Sequence, residues 1–241
     1  ISQAIGDQGL DEEDFLKGYI DGNIIYKKEY DLVFRCSPQI TDLAMAITAS
    51  GSNLFGSFKN PYSHSKSAFT VVEETMAKKP EYVLTHSEHE MIEAALDYAE
   101  KMRISMQCSQ SEIVIISFSE ILHQELIRKA SNKRFVELVK RGDLESKVKA
   151  NKSSAFLFSL PEYVGGLEFY GVILLGVDKA RVPPISANDV SQNYLAYSAY
   201  NQLYVSVTRS KFQVAIFGAK EYGESKMLEY AILRETIDLI K

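Results

Sequence analysis

The chain has 241 residues and an apolar fraction of 46%, enough to form one large or two small globular domains. Its net charge of −5 excludes a general attraction to nucleic acid through overall charge, but it leaves room for a local basic groove. Cys36 and Cys108 are not spaced as metal ligands, which favours a reduced, cytoplasmic setting, and no apolar run is long enough to predict a membrane segment.

Apolar runs rich in Val, Ile and Phe recur along the chain without a clean alternation of polar residues. Such runs are typical of strands that are covered on both faces of a parallel sheet. In chain order they are Asp31–Phe34, Glu112–Phe118, Ser154–Leu160, Tyr170–Val177 and Gln213–Ala219, with "YVLTH" (82–86) as a further candidate.

Helical patterns separate most of these runs. "SPQITDLAMAIT" begins with Ser37 as an N-cap and Pro38 at the first helical position. "SEHEMIEAALDYAEKM" begins with Ser87, and Glu90 three residues later predicts a capping box. Further helices are predicted at "SEILHQELIRKA", at "SQNYLAYSAYNQLYVSVTRSK" and within the charged segment 133–152.

The alternation of strand and helix predicts an α/β fold with a mostly parallel sheet flanked by helices. Residues 51–80 lack clear periodicity and are interpreted as a peripheral connection. In open α/β sheets, ligands bind beyond the carboxyl ends of the strands, and we expect Arg35 and Arg209 to lie there.

Several side chains suit a nucleotide ligand. The planar guanidinium groups of Arg35 and Arg209 can each donate two parallel hydrogen bonds to a phosphate, although a surface ion pair is the more common fate of a single arginine. Glu168 follows a glycine pair in "GGLEF" and could accept from a ribose hydroxyl, and Gly166 would let the backbone approach the ligand closely. Phe34 could stack on a base or belong to the core.

Three other kinds of site are excluded or disfavoured by the motifs. "GGLEF" differs from the GGDEF signature of cyclases because Leu167 replaces an acid and cannot bind a metal ion. The sequence contains no G-x-x-x-x-G-K-[ST] phosphate loop, so the chain cannot build a complete P-loop site alone. A stand-alone Rossmann-type enzyme is disfavoured because no glycine-rich phosphate motif follows the first strand.

Four segments in order resemble the C-terminal half of the UvrD/PcrA/Rep-like superfamily 1 DNA helicases. They are "ISQAI" (motif III), "LVFRCSPQITDLA" (motif IV), "GGLEFYGVILLGVD" (motif V) and "NQLYVSVTRSK" (motif VI). The resemblance implies the second RecA-like motor domain, which has no P-loop of its own. The glutamine that senses the γ-phosphate would be Gln3, the adenine-stacking aromatic Phe34 and its neighbouring phosphate-binding arginine Arg35. The ribose ligand would be Glu168 and the arginine finger Arg209.

The same resemblance implies ATP as the ligand, single-stranded DNA as a partner, and an N-terminal RecA-like domain that holds Mg²⁺. We expect that domain to precede residue 1, with residues 1–30 as its tail and linker and residues 31–241 as the C-terminal RecA-like domain. The isolated chain is therefore expected to be inactive.

Some DNA-facing positions depart from the family pattern. Motif V of the family carries a histidine and a lysine where this chain has Glu162 and Gly165, and Gly6 replaces an aromatic residue in motif III. The interval between the second and third strands is also too short for the large accessory subdomain of the family. These departures leave open a second interpretation, a non-catalytic helicase-like module for DNA sensing or protein docking.

Overall fold

The computed structural model describes residues 32–33, 35–55, 66–67, 75–130, 134–185 and 189–241. The strands are β1 (Leu32–Val33), β2 (Lys66–Ser67), β3 (Glu81–Thr85), β4 (Ile113–Ser117), β5 (Phe135–Glu137), β6 (Phe156–Ser159), β7 (Phe169–Leu175), β8 (Ser210–Ala219) and β9 (Asp238–Ile240). The α-helices are α1 (Pro38–Phe55), α2 (Glu88–Met106), α3 (Glu120–Lys129), α4 (Leu144–Ser153), α5 (Asp189–Val207) and α6 (Glu229–Leu233).

The main sheet contains seven strands in the order β5-β6-β4-β7-β8-β3-β9. Every pair of neighbours in it is parallel, which confirms the predicted α/β class. Strands β1 and β2 form a separate parallel pair. Strands β7 and β8 lie side by side in the middle of the sheet, so the segments that lead into them are neighbours.

Both faces of the sheet are covered, as the unbroken apolar runs predict. In β4, Val114 and Ile116 belong to the core that includes residues of α1 and α5. Ile113 and Ile115 belong to the opposite core, which includes residues of α2 and α3. Successive strand residues point to opposite faces of a sheet, so one strand of apolar residues contributes to both layers.

The predicted helix starts are confirmed by their hydrogen bonds. Ser87 Oγ accepts from the Glu90 amide, and the Glu90 carboxylate accepts from the His86 amide, one residue before the N-cap. Helix α1 begins at Pro38, as expected from its fixed backbone angle. Within the described ranges, none of the helices combines the length and apolar character that a membrane crossing requires.

Four details of the sequence prediction were wrong or incomplete. Helix α1 continues to Phe55, beyond the predicted boundary at Gly51. The charged segment 133–152 contains edge strand β5 before helix α4, and β9 was missed. Strand β2, within the predicted connection, was missed as well. These three strands have two or three residues each, too few for a hydrophobic period to be recognised in the sequence.

Candidate functional site

The candidate site lies where three segments distant in sequence are joined by backbone hydrogen bonds. The Phe169 amide donates to the Arg209 carbonyl at 2.9 Å, which places the start of β7 beside the start of β8. The Ser37 amide donates to the Lys211 carbonyl at 2.9 Å, which brings the start of α1 to the same point. The side chains that precede or begin these elements therefore share one small region.

Arg35, Glu168 and Arg209 are brought together there, as we expected. Arg35 Nε donates to Glu168 Oε1 at 2.7 Å, and the two side chains are partly exposed. Arg209 is close enough to both for their charges to change its pKa. Gln3 and Phe34, the other two predicted ligand-contacting side chains, lie outside the described residues.

The edge of the sheet on which they meet differs from the prediction. Glu168 immediately precedes β7, and Arg209 immediately precedes β8, so the cluster lies at the amino ends of these strands and not at their carboxyl ends. Arg35 lies two residues after the end of β1 (Leu32–Val33), a strand that is outside the main sheet. Glu168 and Arg209 still converge because β7 and β8 are parallel neighbours whose amino ends share one edge. The hydrogen bond from the Ser37 amide to the Lys211 carbonyl brings Arg35 to the same edge.

Arg209 is buried, and its guanidinium lies near the positive charge of Arg35. Its side chain follows the end of α5 and is only 4% exposed. Its Nε donates to the Val205 carbonyl at 3.1 Å, and one terminal nitrogen donates to the Thr208 hydroxyl at 3.4 Å. Burial and the nearby positive charge of Arg35 lower the pKa of Arg209. Among the described residues, no carboxylate forms an ion pair with this buried guanidinium.

Glu168 is the one acid of the cluster. Lys211 Nζ lies 3.6 Å from its Oε2, while Arg35 occupies Oε1. Partial burial acts to raise the pKa of Glu168, but Arg35 and Lys211 outweigh burial and hold that pKa below its ordinary value. The carboxylate is therefore ionised at neutral pH, and the cations around it outnumber it.

Cys36 is buried beside this cluster, where its environment favours the neutral thiol. Its Sγ donates to the Thr208 carbonyl at 3.6 Å, and its side chain is 2% exposed. Burial raises the pKa of the thiol to about 11, although Arg35 and Arg209 act in the opposite direction. A thiol that stays protonated at neutral pH serves packing and not covalent chemistry.

Gly166 has a backbone conformation that suits glycine. Its φ is +87°, which side chains rarely adopt, so the predicted turn before Glu168 is confirmed as a glycine turn. A Cβ atom on Gly166 would meet only the Cα of Gly142, at 3.9 Å. The backbone angle, and not lack of space in the described part of the chain, is therefore the reason for glycine here. Its predicted contact with a ligand stays a prediction.

Two lysines that the sequence analysis missed complete the site. Lys211 lies two residues after Arg209, and this spacing at the start of a strand was a usable signal, because residues i and i+2 point to the same side. Lys147 of α4 donates from Nζ to the Glu168 carbonyl at 2.6 Å and pairs with Glu112 at 3.2 Å. No local pattern could reveal Lys147, since its partner lies in another element.

No model of a protein family and no curated protein sequence matches the chain. Among solved structures, the fold is similar to that of the C-terminal domain of a possible DNA helicase from Lactobacillus plantarum WCFS1, with a TM-score of 0.58 and 15% sequence identity. The similarity covers 87% of this chain and 99% of that one. The chain therefore shares an α/β, RecA-like fold with that domain.

Two XPD helicase structures are more distantly similar. One has a TM-score of 0.45 and 12% identity over 80% of this chain, and the other a TM-score of 0.42 and 14% identity over 73% of it. This chain spans 46% and 37% of their respective lengths.

Proposed function

We propose that the chain is the C-terminal motor domain of an ATP-dependent DNA helicase or translocase of the UvrD/PcrA/Rep-like type. In this proposal ATP binds at the amino-end edge of the sheet, in a cleft shared with an N-terminal RecA-like domain. The observation that carries the proposal is the buried Arg209 guanidinium, which has no ion pair with a described carboxylate and lies near a second arginine.

A buried cation with a cationic neighbour is costly unless an anion compensates it. Arg35, Arg209 and Lys211 surround a single carboxylate in the described part of the site, so the local charge is positive in a chain of net negative charge. A polyphosphate supplies several negative oxygens at once, and the planar arginine fork matches its geometry.

Each side chain has a distinct task in this proposal. Arg209 is the arginine finger, which stabilises the negative charge that develops on the transferred phosphoryl group. Glu168 accepts from the ribose hydroxyls and, in the absence of nucleotide, holds Arg35 in place. Arg35 exchanges this carboxylate for the γ-phosphate when ATP binds. Gln3 and Phe34 are proposed as the γ-phosphate sensor and the adenine stack.

Mg²⁺ is assigned to the N-terminal domain. Among the described residues, no group of three His, Cys, Asp or Glu side chains is arranged to hold a metal ion. Mg²⁺ would neutralise charge on the phosphates, while this chain contributes the arginines from the opposite side of the cleft. Alternate closing and opening of the cleft would move the protein along single-stranded DNA.

A non-catalytic helicase-like module is the second candidate. The ion pair of Arg35 with Glu168 and the hydrogen bond of Arg209 with the Val205 carbonyl favour it, since both arginines have partners within the chain. An arginine at the end of a helix is also stabilised by the helix dipole.

The two candidates are separated by ATP turnover of the protein that carries this chain together with its N-terminal motor domain. Turnover is measured with saturating single-stranded DNA for the wild type, for Arg209→Ala and for Arg128→Ala as a control. Arg128 is an exposed arginine of α3 that pairs with Glu125, far in sequence from the site. Loss of turnover in Arg209→Ala alone supports the motor domain, and equal turnover in all three proteins supports the non-catalytic module.

A further inference from the structure

Arg141, in the loop between β5 and α4, lies directly over the glycine turn that precedes Glu168. An ideal Cβ atom on Gly165 would be 2.7 Å from Arg141 Nε and 3.3 Å from its Cγ. The arginine side chain therefore occupies the space that a side chain at position 165 would need. Arg141 is nonetheless exposed, and it forms no ion pair with a carboxylate of the described residues.

The loop that carries Arg141 is anchored by packing and by hydrogen bonds. Gly142 has a φ of +67° and packs against the Gly165–Gly166 turn, with its ideal Cβ position 3.7 Å from the Gly165 carbonyl oxygen. Asp143 is buried and accepts from the Val139 and Ser146 amides, both at 3.2 Å. These contacts fix the backbone from which the guanidinium projects, so the loop itself loses little entropy when Arg141 binds a ligand.

The surrounding segment 134–152 is basic, although the chain as a whole is acidic. It contains six cations against three carboxylates, and one of the carboxylates is the buried Asp143. The cations are Arg134, Lys140, Arg141, Lys147, Lys149 and Lys152, and the other carboxylates are Glu137 and Glu145. Lys149 and Lys152 on α4 are also exposed and have no ion pair with a described carboxylate.

We propose that Arg141, Lys149 and Lys152 form a basic surface that binds the phosphodiester backbone of single-stranded nucleic acid, with Arg141 as its fixed contact. The proposal rests on the proposed motor function, for which it names the nucleic-acid contact of this domain. A polyanion with regularly spaced charges fits separated cations along a loop and a helix, and an arginine fork suits a phosphate oxygen pair.

The same surface is connected to the nucleotide site. Lys147 lies in α4 between the basic surface and the cluster, and it donates to the Glu168 carbonyl at 2.6 Å. Its ammonium group also lies 5.0 Å from the centre of the Phe169 ring. A shift of α4 on binding nucleic acid would therefore move the backbone that carries Glu168.

The test is fluorescence anisotropy of the chain with a labelled oligothymidylate of about 16 nucleotides at several salt concentrations, without nucleotide. We expect Arg141→Ala to weaken binding roughly two- to fivefold and to reduce the slope of log affinity against log salt by about 0.7, the value for one lost contact with a single strand. Arg141→Glu should weaken binding further. Arg128→Ala, the matched control outside the surface, should bind as the wild type does.

A second variant distinguishes a defined contact of Arg141 with the nucleic acid from general electrostatic attraction by the basic surface. Gly165→Ala keeps every charge but displaces the Arg141 side chain, because the new methyl group would take its space. Weaker binding of Gly165→Ala, with unchanged thermal unfolding, supports the fixed contact. Equal affinity and salt slope in the wild type, Arg141→Ala and Gly165→Ala would overturn it, as would a preference for an acidic peptide over oligothymidylate. The binding test does not depend on ATP turnover. The proposal of a nucleic-acid surface can therefore fail while Arg209 still proves catalytic.

Discussion

Arg35 and Glu168 form an ion pair of 2.7 Å although 133 residues separate them in sequence. The pair joins the start of α1 to the start of β7, and Lys211 approaches the same carboxylate from the start of β8. Three elements thus meet at one carboxylate. Any ligand that engages Arg35 or Glu168 must therefore compete with this contact.

Glu168→Gln should alter stability in a pH-dependent way. The pKa of Glu168 is lowered in the folded chain, so its contribution is present above the unfolded pKa and is lost as pH falls through the folded value. Chemical unfolding from about pH 6 to about pH 3 should show a difference between wild type and Glu168→Gln that shrinks toward acid. We expect less than about 1 kcal/mol because the pair is partly exposed. Glu145→Gln, an exposed acid, is the control, and a difference that grows toward acid would contradict this assignment.

Arg209→Ala should reduce ATP turnover at least about a hundredfold in the protein that carries both motor domains. An arginine finger acts on charge that develops in the transition state, so nucleotide binding should change much less than turnover. Arg209→Lys should restore little, because an ammonium group lacks the planar fork. Arg35→Ala should lower both turnover and nucleotide affinity. Steady-state turnover paired with a nucleotide titration checks these effects, and a loss of affinity alone in Arg209→Ala would argue against a finger.

The purified 241-residue chain should not hydrolyse ATP. Its sequence has no phosphate loop, and the proposed site needs a second domain to position the phosphates and Mg²⁺. Phosphate release measured with ATP, Mg²⁺ and single-stranded DNA should match a blank without protein. Turnover above the blank that is abolished in Arg209→Ala would show that the chain builds a complete site by itself.

Gly218→Ala should destabilise the fold more than Gly223→Ala. A Cβ atom on Gly218 would lie 2.6 Å from the Val177 carbonyl oxygen, a backbone atom in the middle of the fold that cannot move alone. Overpacking of this kind costs about 1–3 kcal/mol. Gly223 has a φ of +77° but open space around it, so only backbone strain of about 1–2 kcal/mol is expected. Denaturant unfolding of both variants compares them directly, and equal losses would refute the steric explanation.

Cys108 should react with a thiol reagent before Cys36 in the native chain. Cys36 is almost completely buried and its pKa is raised to about 11, whereas Cys108 is partly exposed. Alkylation at about pH 8 followed by peptide mass spectrometry should label Cys108 under native conditions and both thiols in denaturant. Native labelling of Cys36 at the rate of Cys108 would show that the packing beneath Arg35 and Arg209 opens readily.

The sequence by itself determined the local features of this protein. Unbroken apolar runs indicated strands buried on two faces, and Ser87 with Glu90 indicated the start of α2, because burial and capping depend on residues close in the chain. The glycine turn before Glu168 could likewise be predicted from the sequence. The short strands β5 and β9 were not, since three residues carry no period.

Only the tertiary structure decided which edge of the sheet carries the cluster and which side chains join it. The strand order pairs β7 with β8, and this pairing brings Glu168 close to Arg209 at the amino ends of the two strands. The contacts of Lys147 with Glu168 and of Arg141 with Gly165 depend on how α4 and its preceding loop pack on the sheet. Such contacts join residues from separate elements, and local composition does not encode the packing that produces them.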